Sequence, residues 1–432
     1  LVTHFKKKKI FDMKKIQLLI ISFVCIRTVC TQTCYHPFVD TVISHVSQQN
    51  IITIVRELSG DTTIITNTGE IYRILSRYWE HTGNRIATEY IYSIFQSYGY
   101  EPYFQNYSST GTNVIAQKIG NKYPNQRIVI CAHYDSYATG VPELDTVPGA
   151  DDNASGTACV LEAARVLAQY DFDYTIEFVL FDEEEHGLLG SKAYVDVLNP
   201  LVDSIICAIN LDMIAWDGNN DYRNSVETDT NSFFYSRVLL SSLSVYTPQF
   251  ITQLFTVGGG GDHRSFWQKC YKAVYLGEWS YDFNPYYHTQ NETFDKFNQD
   301  YFFKMVKAIA FLVITGKDYL IHINHTPLQS TDDTASRNVI AVIKSNHSIA
   351  TGSNAPRLYY KSGSNNFEYV NAYENNLDTF KFQIPGYPIG SYISYYIAAQ
   401  DASGTMLGAY QQVQGELILR EQYRQIIFLL II

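Results

Sequence analysis

The hydrophobic positions of this chain follow one pattern up to about residue 320 and another beyond it. In the first stretch, apolar residues recur at helical spacing over 38–58 and again over 70–98, where Gly99 ends the run. A strand, TNVIAQKIG, ending at Gly120, and three apolar runs follow: RIVICAH at 127–133, TIEFVLF at 175–181 and SIICAINLD at 204–212. A helix is predicted over 155–170, with Ala and Leu on its inner face, and another over 301–315 closes the region. Continuous apolar strands alternating with helices predict an α/β fold, a central and mostly parallel mixed sheet flanked by helices.

The second pattern is alternation. RNVIAVIKS, PRLYYKSG, FEYVNAY, DTFKFQI and YISYYIAAQD place apolar and polar residues in turn between Gly, Pro and Asn turns, which predicts an antiparallel β-sandwich over 337–412. The domain boundaries follow: a first domain over 35–320, a polar linker over 321–336 carrying Pro327, the sandwich, and an atypical tail over 413–432 that fits neither pattern. At the other end, Met13 is followed by Lys14 and Lys15, a short apolar stretch and small or polar residues. That is the layout of a signal peptide over 13–33, with residues 1–12 read as upstream translation. Its apolar run is too short for a membrane anchor, so the expected location is secreted, periplasmic or cell-surface.

Composition narrows the class. With 46% hydrophobic and 17% charged residues in 432, the chain has the makeup of folded domains and the length of two. A net charge of −11 argues against nucleic acid as partner, because phosphate binding needs clustered Lys and Arg. Of seven cysteines, Cys25 and Cys30 fall in the signal; Cys34, Cys131, Cys159, Cys207 and Cys270 form no CxxC pair and suggest neither a zinc finger nor a disulfide scaffold. Cys131 and Cys207 sit in apolar runs, as small hydrophobes do.

The candidate chemistry lies where the strands end. His133 ends the first of three apolar strands, the acids of 182–185 follow the second, and Asp212 ends the third. The carboxyl ends of strands in an open α/β sheet form its ligand crevice. Between the first two strands, GADDNASG at 149–156 places acids at a helix start, where capping and metal binding are both open readings. Four consecutive carboxylates, 182–185, repel one another unless a cation or solvent compensates them. Asp212 at the edge of INLDMI would be costly if buried unpaired. His288 in NPYYHTQNET reads as a structural imidazole or a ligand.

Together, His133-x-Asp135-Ser136, the 149–156 segment, Glu184-Glu185-x-Gly187-Leu188-x-Gly190-Ser191, Leu211-Asp212-Met213 and Tyr287-His288-Thr289 resemble, in order and over about residues 70–315, the co-catalytic zinc peptidases of metallopeptidase family 28. The resemblance implies a zinc aminopeptidase that removes N-terminal residues from peptides or proteins using two Zn ions. It implies that Asp152 bridges the metals, with His133 and Asp212 completing one ion and Glu185 and His288 the other. Asp152 rather than Asp151, and Glu185 rather than Glu184, follow from alignment to the family pattern. Glu184 is then the general base acting on metal-activated water, and Asp135 the acid that orients His133. Tyr287 is read either as a hydrogen-bond donor to the developing oxyanion or as packing. Asp262, after the glycines 258–261, is expected to support the site and His263 to be structural; a Ser often found in the family stands as Gly261 here.

Competing readings have their own requirements. A carboxypeptidase of the same clan needs a cation for the substrate carboxylate, for which Arg223, Arg237 and Arg264 are candidates. A glutaminyl cyclase shares the fold but works with a single zinc. A surface-binding protein would use the peptidase fold as a scaffold and bind through the sandwich.

Overall fold

The structure is a computed structural model that describes residues 35–199, 202–256, 259–326 and 328–402, with the backbone of 415–418. The expected upstream segment 1–12, the signal peptide 13–33 and most of the tail 413–432 lie outside the described residues.

The sheet is built from β1 (Tyr103–Asn106), β2 (Thr112–Lys118), β3 (Tyr123–His133), β4 (Tyr174–Phe181), β5 (Ser204–Leu211), β6 (Arg223–Thr228), β7 (Ile251–Phe255) and β8 (Ala273–Glu278). Its spatial order is β1-β2-β4-β3-β5-β8-β6-β7. The four middle strands, β4, β3, β5 and β8, run parallel, so their carboxyl ends share one edge of the sheet. Antiparallel strands β2 and β6 flank them, which makes the sheet mixed.

The continuous apolar runs have a simple cause: both faces of the middle strands are covered. Ile128, Ile130 and Ala132 of β3 join Phe178 and Leu180 of β4 on one face, beneath the helix Gly156–Leu167 and the helices at 233–246 and 299–316. Val129 and Cys131, with Val179 and Phe181, meet Tyr194, Val195 and Phe266 on the other. Cys131 and Cys207 are buried free thiols.

Several predicted helices are shorter or divided. The 38–58 run is two helices, Pro37–Ser44 and Gln48–Leu58, interrupted where the Ser47 hydroxyl caps the second by accepting from the Asn50 N–H. The 70–98 run is helical only over Thr82–Ser97; the segment before it carries Arg77, buried against backbone carbonyls. The 301–315 run is likewise divided into Gln299–Val306 and Ala310–Gly316 by a single 3₁₀ turn.

The C-terminal unit is the expected sandwich. Two four-stranded antiparallel sheets, one of β9 (Ile321–His325), β10 (Arg337–Ser345), β13 (Glu374–Asn376) and β14 (Thr379–Ile384), the other of β11 (Arg357–Ser362), β12 (Glu368–Asn371), β15 (Tyr392–Ala398) and β16 (Gly415–Ile418), enclose one apolar core. Ile321 and Ile323 enter that core, so the first five residues of the stretch read as a linker are a strand of the sandwich. The alternation in that stretch is only three residues long, Ile-His-Ile, and pairing with β10 is what gives it meaning. Residues 415–418 pair with β15 and extend its sheet into the tail.

Candidate metal centre

Four strand ends deliver the site. β3 ends in His133, β4 runs into 182–185, β5 into Asp212, and β8 ends at Glu278, ahead of the loop that carries His288. The loop 149–155 rises between them from the start of the helix Gly156–Leu167.

That loop is held residue by residue. Gly149 sits at φ 46°, and a Cβ there would fall 2.3 Å from the Asp152 carbonyl oxygen. Only glycine meets both conditions. The Asn153 side chain donates to the Leu211 carbonyl at 2.9 Å and accepts from the Gly156 N–H at 2.8 Å, which ties the loop to the end of β5. Ser155 Oγ donates to the Asp151 carbonyl and accepts from the Ile214 N–H. The Arg77 guanidinium donates to the carbonyls of Leu58, Tyr134, Pro148 and Gly149. Sequence reading missed Arg77, since nothing in IYRILSRYW marks it apart from the exposed Arg73 four residues before it.

The result places Asp152 between two imidazoles. Its Oδ1 lies 3.1 Å from His133 Nε2, and its Oδ2 lies 3.2 Å from His288 Nε2. Asp212 Oδ1 approaches the same His133 nitrogen at 3.4 Å, and Glu185 Oε1 the same His288 nitrogen at 2.9 Å. All five residues named from sequence are therefore brought together, as two groups sharing Asp152. His133, Asp152 and Glu185 can each offer a ligand atom within 4.8 Å of the others. His133 is 1% exposed and His288 21%, so the centre opens on the His288 side.

Asp135 reaches further than expected. Its Oδ1 lies 3.1 Å from His133 Nδ1, and its two oxygens also accept the backbone N–H groups of Glu184 and Glu185. Glu183 turns away, at φ 55°, to accept from the Thr110 hydroxyl. Asp182 anchors the strand end by accepting from Asn84 and from the Thr112 N–H. Tyr287 stacks on the His288 ring with centroids 3.7 Å apart. Asp262 is fully buried beside Glu184, and His263, also buried, lies 3.5 Å from Glu227.

The electrostatics call for positive charge. Burial, together with neighbouring carboxylates, pushes the Glu184 and Glu185 carboxyls well above their ordinary range, with His133 pulling the other way. Burial likewise raises Asp212. It would raise Asp152 too, but the imidazoles of His133 and His288 hold that carboxyl well below the usual range. Burial disfavours a charged His133, yet Asp212, Asp135 and Asp152 push its pKa well up. Two nitrogens and three carboxylates in two overlapping sets fit the donor chemistry of zinc.

Of the arginines considered as carboxylate grips, Arg223 pairs with Asp221 and faces Trp279, Arg264 donates to the Gly259 carbonyl, and Arg237 lies over Phe233.

The model of peptidase family M28 matches residues 113–313. Aminopeptidase YwaD of Bacillus subtilis is 31% identical over 202 residues, 45% of this chain and 42% of that protein. The uncharacterized protein YfbL of Escherichia coli is 30% identical over 270 residues, 54% of this chain and 80% of that one. This chain thus spans less than half the length of YwaD. Among solved structures, the LapA aminopeptidase of Legionella pneumophila aligns with a TM-score of 0.56 at 22% identity, covering 72% of this chain and 78% of that one. The glutaminyl cyclase of Porphyromonas gingivalis aligns at 0.50 and 19% identity, covering 62% and 99%. Both likenesses concern the fold.

Proposed function

This chain belongs to peptidase family M28, and from that premise we propose that it is a secreted aminopeptidase that uses two zinc ions to remove residues from the free N-terminus of peptides. The observation that carries the reading is the Asp152 carboxylate, which turns one oxygen to each of two imidazoles that have a further carboxylate of their own. His133, Asp152 and Asp212 would hold one ion; His288, Asp152 and Glu185 would hold the other.

Zinc bound there supplies Lewis-acid polarisation of the scissile carbonyl and lowers the pKa of the attacking water. The chain's own residues do the rest. The Glu184 carboxylate takes the proton of that water and passes it to the departing amine, which requires a base held within one hydrogen bond of both. Asp135 fixes that base by its backbone, since it accepts the N–H groups of Glu184 and Glu185 while facing His133. The Tyr287 ring lies on His288, at the open side, where its hydroxyl can donate to the carbonyl oxygen as negative charge develops. The glutaminyl cyclase reading uses one zinc and leaves the contact between His133 and Asp212 without a task.

The test is amino-acid release from N-terminally free and N-terminally blocked peptides, with and without chelator and added zinc. Free peptides are cleaved, chelation abolishes the release and zinc restores it. Cleavage of blocked peptides alone, or indifference to chelation, would sink the reading. In Glu184→Gln the zinc content stays and kcat falls by about 10²–10⁴-fold.

A further inference from the structure

The loop that carries His288 is fastened to the loop that carries Asp152 at both of its ends. At one end, Asn284 Nδ2 donates to Asp151 Oδ2 at 3.0 Å. At the other, Glu292 Oε1 accepts the backbone N–H groups of Asp151, at 3.1 Å, and of Asp152, at 2.5 Å. The Ala150 N–H donates to the Glu292 carbonyl at 3.1 Å, so main chain and side chain of one residue grip three successive amides.

Glu292 is 1% exposed, and its Oε2 has no hydrogen-bond partner among the described residues. A buried carboxylate is costly, and one with an idle oxygen more so. The Arg77 guanidinium, which donates to the Pro148 and Gly149 carbonyls of the same loop, attracts this carboxylate. Between the two fastenings His288 sits at φ 57°, in the left-handed region, and its carbonyl accepts the Thr139 N–H at 3.0 Å.

We propose that Glu292 is a positioning residue: by holding the amides of Asp151 and Asp152 it sets the separation of Asp152 from His288, and with it the affinity of the metal site those two share. Glu292 touches neither imidazole in the contacts above, and its effect is transmitted through the backbone of Asp152. Outer partners of this kind typically alter metal affinity or activity by about 10–100-fold. The inference rests on the zinc reading of the previous subsection.

The experiment uses the full chain, stripped of metal and titrated with zinc against a chromophoric chelator, and with Co²⁺ followed by visible absorption. Glu292→Ala is expected to remain folded, to bind one zinc equivalent about 10–100-fold more weakly and to shift the Co²⁺ bands. Glu292→Gln is expected to stay within a few-fold of the parent, because its amide oxygen can accept the same two N–H groups and its nitrogen takes the place of the partnerless Oε2. A folded Glu292→Ala protein that titrates and absorbs like the parent overturns the proposal, as does a Glu292→Gln protein as weakened as the alanine variant. If Glu292→Ala fails to fold, Glu292→Asp, whose shorter side chain draws the acceptor away from both amides, is measured beside Glu292→Gln; weakened zinc binding in the former alone is expected, and unchanged binding overturns the proposal. A parent chain that takes up no zinc overturns the zinc reading itself, and this proposal with it.

Discussion

The backbone N–H of Glu184 donates to Asp135 Oδ1 at 3.1 Å, the same oxygen that faces His133 Nδ1. One carboxylate thus meets both an imidazole of the candidate metal centre and the backbone of the residue proposed as base. Asp135→Asn has a single acceptor oxygen where three donors now converge. We expect kcat to fall by about 10–100-fold while zinc is retained. Steady-state kinetics with metal analysis of the same sample checks this, and a kcat equal to the parent's would contradict the orienting role.

Tyr287 separates packing from chemistry. Its ring lies 3.7 Å from that of His288, and Tyr287→Phe keeps that stack while removing the hydroxyl. If the hydroxyl donates to the developing oxyanion, kcat drops by about 10²-fold at constant KM, the scale of one lost donor. An unchanged kcat assigns Tyr287 to support of the His288 ring.

Arg77 is the largest fully buried side chain of the molecule among the described residues, and burial, against the pull of Glu292, Asp135 and Asp152, lowers its pKa to about 10. It remains a cation at neutral pH. Arg77→Met leaves the carbonyls of Leu58, Tyr134, Pro148 and Gly149 without these donors and the nearby carboxylates without their cation. The expected loss is about 3–5 kcal/mol of stability. Urea unfolding measures it, and a loss under about 1 kcal/mol would mean that water replaces the guanidinium.

His36 gives a pH dependence away from the metal centre. Its Nδ1 accepts the Phe38 N–H at the start of the helix Pro37–Ser44, and its ring stacks on Tyr319 with centroids 4.2 Å apart. Burial lowers its pKa, with Asp401 opposing and His347 reinforcing the shift. A histidine lowered in the fold takes up its proton first in the unfolded chain, so its stabilisation is present above the unfolded value near 6.5. It is lost as pH falls through the folded value. His36→Asn keeps an acceptor at the cap and removes the titration. Its Tm should therefore fall less than the parent's between pH 7.5 and pH 5.5, and parallel losses would rule out this coupling.

How much of this was legible beforehand differs by element. The strands at 127–133, 175–181 and 204–212 were readable because a strand buried on both faces is mostly apolar, with the few polar members such as Glu177 paired inside the fold. β6, β7 and β8 were not, since their short runs carry polar residues and acquire a register only from their neighbours in the sheet. The division of the helices at 45–47 and 307–309 was hidden as well, because apolar periodicity continues across a break that only packing reveals.

For the site, the sequence by itself determined which side chains stand at strand ends: His133, the acids of 182–185 and Asp212, with Asp152 and His288 on loops of recognisable pattern. Chemical type and order along the chain are local properties, and they survive in a string of letters. Only the tertiary structure decided that the two oxygens of Asp152 face different imidazoles, that Asp135 serves His133 and Glu184 together, and that Arg77 holds carbonyls and Glu292 amides of the Asp152 loop. Those are distances between residues far apart in sequence. They exist only once folding has brought those residues together and buried most of their polar groups against one another.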